Sequence, residues 1–166
     1  MGWLQLWGNP NKVTLVNPVP LSQSQQTQLD ELERRGRVSR VTIDHSKAER
    51  FISQAIEALE EIPLIKVDQI RYDSSYNAAH DVGEALMAAY GYRTTNGPGQ
   101  HMALGEFLVI LFSDTVAQAA AVEFDDFRVS RNQLRYKANP IGKAKANGAI
   151  ACANDLLAQA RITLGL

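Results

Sequence analysis

With 166 residues, 45% of them hydrophobic and 21% charged, the chain is long enough for one globular domain that buries roughly 70% of the surface its unfolded form exposes. A formal net charge of -1 excludes a protein that holds nucleic acid by bulk charge, so any polyanion must be met by a local basic patch. The single cysteine, Cys152, excludes an intrachain disulfide framework and a cysteine-rich zinc site, and no apolar stretch has the length of a membrane span.

Residues 1–20 place Pro10, Pro18 and Pro20 around the β-branched run Val13-Thr14-Leu15-Val16, which predicts an extended arm or short edge strand and no helix. Trp3 and Trp7 are too large for so short a segment to bury alone, so the arm is expected to dock on the rest of the chain or on a partner. Met1–Trp7 has neither a basic leader nor a signal-peptide apolar core, which makes a cytoplasmic protein the expectation. Residues 21–166 then form the helical domain.

Ser22–Arg35 is a weakly amphipathic, Gln-rich helix with Leu29 and Leu32 as apolar contacts and Gly36 as its stop. After the β-like run Val38–Ile43, Asp44 or Ser46 can cap a helix in which Phe51, Ile52, Ala55, Ile56 and Leu59 recur at helical spacing until Pro63. Asp68 can open a long helix closed by Gly91, and Thr94–Gly99 is a loop. A nearly all-round apolar helix is expected from about His101 to Val122, with a continuation or a bend near Glu123. Asn139-Pro140 ends that continuation, and Gly142–Leu164 forms a last helix rich in small residues. The short turns predict an all-α, up-and-down bundle of about five helices.

On a helix, Arg128, Arg131 and Arg135 follow i, i+3, i+7 spacing and line one stripe, while Asn132 and Tyr136 form an i, i+4 pair beside it. Two readings stand: a phosphate-binding face, or a solvated face laced with ion pairs to Asp125 and Asp126. Asp114, Asp125 and Asp126 lack the spacing of a metal site, and no metal or cofactor is called for. Gly97 and Gly99 can present backbone N–H groups to a phosphate or simply make a turn; no Gly-Lys-Ser/Thr follows, so this is not a nucleotide P-loop.

Tyr72–Arg93, followed by Gly97-Pro98-Gly99-Gln100-His101, resembles the central part of bacterial HEPN domains (higher eukaryotes and prokaryotes nucleotide-binding), particularly an actinobacterial group of them. Phe127–Tyr136 resembles the helix that carries the Arg, polar residue, then His signature of that superfamily. The resemblance covers about residues 44 to 164. It implies a helical bundle that commonly forms a homodimer, with signature arginines facing one cleft. Many members are metal-independent ribonucleases, often toxins silenced by a cognate antitoxin; others are non-catalytic modules that bind RNA or nucleotides, or partner subunits of a nucleotidyltransferase. By this resemblance Arg131 matches the signature Arg, Asn132 the polar residue, and Tyr136 stands where catalytic members have His.

Metal-free RNA cleavage needs a base for the ribose 2′-OH, a cation for the phosphorane and an acid for the leaving 5′-oxygen. Arg131, with Arg128 or Arg135, supplies the cation. A phenol of pKa about 10 makes Tyr136 a poor base but a competent proton donor. His80 and His101 are therefore the candidate bases, against the plainer reading of each as a boundary residue. Glu84 and Asp81 either orient Arg131 or face water, and Glu84 lies one turn from His80. The enzymatic reading is a HEPN-type endoribonuclease acting on RNA such as tRNA or mRNA; the alternatives are a non-catalytic binding module and a helical scaffold.

Overall fold

The structure, a computed structural model, describes residues 12–166 except for the side chains of residues 134–137. Six α-helices account for most of it: α1 (Gln23–Arg34), α2 (His45–Glu61), α3 (Asp68–Tyr90), α4 (Gln100–Leu111), α5 (Gln118–Lys137) and α6 (Lys143–Leu164). Two short strands, β1 (Val38–Arg40) and β2 (Tyr92–Thr94), pair antiparallel with Val38 opposite Thr94 and Arg40 opposite Tyr92. The fold is an all-α helical bundle with a two-stranded clasp. Among the described residues no helix is long and apolar enough to cross a membrane.

Local chemistry sets the boundaries. Ser22 and Gln25 close a reciprocal capping box at the start of α1, and Asp44 accepts the Lys47 N–H at the start of α2. Asp68 is the first residue of α3, and Val67 before it caps with no side-chain bond. Gly91 closes that helix at φ +75°, where its N–H donates to Met87 O and an added Cβ would come within 2.7 Å of Val41 O. A side chain there is excluded twice, by backbone conformation and by space.

Helix α3 is the centre. It packs along α2 and α6 and also touches α4 and α5, so its buried positions, from Tyr72 and Tyr76 through Ala79, Val82, Leu86 and Met87, run almost all round. The small residues of α6, Ala146, Ala149, Ala153 and Ala160, are buried. Gly83 is where α3 meets α4: a Cβ there would lie 2.9 Å from the Leu104 side chain. Tyr72, Ile141, Ala146 and Ala149, with Phe127 against them, form a second, smaller core under the end of α5.

Two expectations are corrected. The helix foreseen from His101 to Val122 is two helices, α4 and α5, and the break lies at Phe112–Ala117 and not near Glu123. Its cause is polar: Ser113 Oγ donates to Ile110 O, Thr115 Oγ1 donates to Phe112 O and accepts from Ala117 N, and Asp114 adopts φ +62°. Val116, foreseen inside that helix, is 96% exposed. Thr94, foreseen in the loop, ends a strand, Tyr92–Thr94, which pairs with only the first half of the foreseen β-like run, Val38–Arg40, since residues 41–44 are not strand.

The arm is resolved into two parts. Trp3 and Trp7 lie outside the described residues. Residues 12–20 form no helix and no strand, and they lie on the bundle: Leu15 is buried, its N–H donates to Glu49 Oε1 at 2.9 Å, and Val19 N–H donates to Thr163 O at 2.7 Å. Tyr90 donates its hydroxyl to Val19 O.

Candidate functional site

One stripe of α3 carries Tyr72, Asp73, Tyr76, His80 and Glu84 at helical spacing, and α5 lays Phe124, Phe127, Arg128 and Arg131 across it. Phe124 and Phe127 anchor α5. Phe124 stacks on Tyr76 with ring centroids 5.4 Å apart, and Phe127 meets Tyr72 edge-on at 6.0 Å. The Tyr72 hydroxyl donates to Phe127 O at 2.7 Å, which fixes the turn of α5 just before Arg131. Burial pushes the Tyr72 phenol up to about 12, so it stays a proton donor.

Arg131 projects from α5 into this seat. Its Nε donates to Asp73 Oδ1 at 3.0 Å, and its guanidinium carbon lies 4.9 Å from the centre of the Tyr76 ring. The pair is half-buried, with side-chain exposures of 21% for Arg131 and 27% for Asp73. Asp73 is thus the carboxylate on Arg131, the place for which Glu84 and Asp81 were candidates. One turn earlier, Arg128 Nε donates to Asp125 Oδ1 at 2.7 Å within α5. The intrahelical ion pair expected of a solvated face is therefore present at Arg128, while Arg131 is committed across the bundle. Asn132 is exposed; the side chains of Arg135 and Tyr136 lie outside the described residues.

The two histidines meet. His80 on α3 and His101 in the first turn of α4 stand with ring centroids 5.6 Å apart, and the His80 ring is 6.4 Å from that of Tyr76. Burial, then repulsion from His101 and Arg131, lowers His80 to about 4, so its imidazole is neutral across the physiological range. His101 is exposed. Glu84 Oε1 lies 3.9 Å from His80 Nε2, beyond hydrogen-bond distance, so this contact does not fix the His80 tautomer.

Burial also raises the carboxyls of this region. Asp81 rises to about 6, from desolvation first and the neighbouring Glu84 second. Glu84 rises through desolvation, against the pull of Lys47 and His101. His45 is exposed at the start of α2, away from the His80–His101 pair.

The loop before His101 is shaped by glycine. Gly97 (φ +137°) and Gly99 (φ +88°) hold backbone conformations that side chains disfavour, and a Cβ on Gly99 would fall 2.7 Å from Arg37 Nη1. Gly99 thereby admits the Arg37 guanidinium, which also lies 3.2 Å from Glu106 and donates to Met102 Sδ. Among the described residues no group of three or more His, Cys, Asp or Glu is placed to hold a metal ion. Cys152 is buried in the core, its thiol pushed up to about 12 by burial and donating to Ala120 O.

Asp73 and Tyr76 were not among the sequence candidates, although both sit on the stripe that carries His80. The legible signal was that polar and aromatic stripe, Asp73, Tyr76, His80 and Glu84, on an otherwise apolar helix. Comparison with known proteins finds no matching family model, no curated relative and no similar solved structure.

Proposed function

We propose that this chain is a metal-independent endoribonuclease of the HEPN type, working on RNA in an arginine-lined cleft of a homodimer, as a toxin or defence component held in check by a cognate antitoxin. The observation that supports it best is the convergence of His80 and His101, from two different helices, beside Arg131. A neutral imidazole accepts the ribose 2′-OH proton, the resulting alkoxide attacks the phosphate, and a 2′,3′-cyclic phosphate forms as the 5′-oxygen leaves with a proton. His101, being exposed, is the base in this reading, and His80 is its neutral neighbour. Arg131 steadies the phosphorane and Tyr136 is the candidate acid.

The experiment is incubation of end-labelled total RNA and tRNA with wild type, Arg131→Ala and His101→Ala in EDTA. Wild type alone should yield fragments ending in 2′,3′-cyclic phosphate. Equal cleavage by wild type and Arg131→Ala would overturn the assignment.

One observation favours a second reading, a non-catalytic module that binds RNA or a nucleotide. Both described guanidinium groups of the stripe, Arg128 and Arg131, already hold carboxylates, Asp125 and Asp73. That reading predicts salt-sensitive binding with no turnover.

A further inference from the structure

Beside the arginine face, between α1, α4 and α5, lies an open groove of about 400 Å³. Its walls are largely apolar: Leu32 from α1, Met102, Val109 and Ile110 from α4, and Val122 from α5. Gly105 leaves a gap in one wall; a Cβ there would rest 3.6 Å from Asp125 Cβ. The polar groups are few and of opposite kinds. Arg35 offers donors, and Asp125 and Glu106 offer acceptors.

Glu106 Oε1 accepts from Arg35 at 3.1 Å, and the buried Oε2 lies 3.2 Å from Arg37 Nε as an ion pair without a hydrogen bond. Asp125 is shared between two places. It lines the groove, and its Oδ1 accepts from Arg128 on the arginine stripe. A carboxylate has about four lone-pair sites, so the Arg128 bond leaves most of its accepting capacity unused.

We infer that this groove is a nucleobase subsite that selects guanine, placed so that the nucleotide's phosphate reaches the arginine face through the Asp125–Arg128 link. The inference rests on the proposed RNA reading and names the base that the site would take. A flat ring of this size suits a slot with apolar walls and a few placed polar groups. Guanine is the base that offers two adjacent donors, N1–H and the 2-amino group, to one carboxylate in fork geometry, while its O6 and N7 accept from an arginine. Adenine and cytosine would set a ring-nitrogen acceptor against Asp125, and uracil flanks its single N–H with two carbonyls.

The chain contains a built-in reporter. Met102 lines the groove and Met87 is buried in the core, so methyl spectra of methionine-labelled full-length protein separate groove binding from general change. Guanosine 5′-monophosphate should shift Met102 saturably and leave Met87 still. Inosine 5′-monophosphate, which lacks the 2-amino donor, should bind about tenfold more weakly, and uridine 5′-monophosphate and inorganic phosphate should leave Met102 unmoved. Val122→Trp, at an exposed position of the groove wall, should abolish the guanosine shift.

A silent Met102 up to about 10 mM guanosine nucleotide would overturn the subsite, since that limit already marks very weak binding. Equal shifts from the guanosine and uridine nucleotides, or a shift that survives Val122→Trp, would do the same. RNA binding that depends on Arg131 while Met102 stays still removes the subsite alone. A guanosine-specific Met102 shift without any RNA binding removes the RNA reading and leaves the subsite standing.

Discussion

Arg131 Nε and Asp73 Oδ1 are joined across 3.0 Å, tying the second half of α5 to the first third of α3 while Tyr76 carries the guanidinium on its ring. The signature-like arginine is therefore held by two groups at once, a charge and a π-face. Breaking the charge alone tests what that hold is for. Asp73→Asn should cost only about 0.5 kcal/mol of stability, because the pair is partly exposed and solvent screens it. It should also tighten RNA binding by roughly threefold by releasing positive charge. Urea unfolding and filter binding at fixed salt measure the two effects, and weaker binding by Asp73→Asn would mean that Asp73 orients Arg131 more than it neutralises it.

The α3 acid–base groups should oppose one another in pH. His80, lowered to about 4 in the fold, adds stability above its unfolded pKa of about 6.5 and loses it as pH falls through about 4. Asp81, raised to about 6, does the reverse: its favourable contribution is complete below about 3.9 and is lost as pH rises through about 6. Asp81→Asn should therefore be more stable than wild type at pH 7, with the gain vanishing near pH 4. Thermal melts of both proteins across pH 4 to 7.5 check the convergence.

Left-handed glycines should not be equal. Gly36 has φ +69° with open space around a would-be Cβ, so Gly36→Ala should cost about 1 kcal/mol from backbone strain alone. Gly91 has φ +75° and Val41 O at 2.7 Å from that Cβ, so Gly91→Ala should cost at least about 2 kcal/mol, since backbone must move as well. Equal unfolding midpoints for the two variants would show that the Val41 segment yields freely.

Leu15→Ala should destabilise the bundle by about 2–3 kcal/mol, the low end of the range of about 2–5 kcal/mol for emptying a buried leucine site, because Leu15 keeps some exposure. Lys12→Ala, at an exposed position in the same segment, should change it by less than about 0.5 kcal/mol. Chemical denaturation of both variants tests whether residues 12–20 are part of the folded unit; a silent Leu15→Ala would argue that they are not.

Periodicity revealed α2, α3 and α6 because each has an apolar pattern bounded by a chemical stop: Asp44 and Pro63, Gly91, Gly142 and Gly165. It failed between Leu111 and Gln118. There Ser113 and Thr115 turn the chain by hydrogen-bonding nearby backbone and Asp114 takes up a left-handed conformation, a local competition that a hydrophobic pattern does not register. For the site, spacing within α5 found the stripe of Arg128 and Arg131, since helical neighbours follow from sequence. The polar stripe on α3 could be read, but not which of its carboxylates meets Arg131, because that depends on how far α5 slides along α3. The stacking of Phe124 on Tyr76 sets that register.

The β1–β2 clasp has a consequence for the order in which the bundle assembles. Val38 and Thr94, paired in its register, bracket the whole of α2 and α3, two consecutive helices that pack together over a short connection. A helical hairpin of near neighbours closes cheaply, whereas the clasp must wait until both chain ends have been brought round. It is thus a late fastening on an early nucleus. Damage at Val38 should leave the folding rate nearly unchanged and quicken unfolding, so the clasp governs how long the folded protein lasts more than how fast it forms.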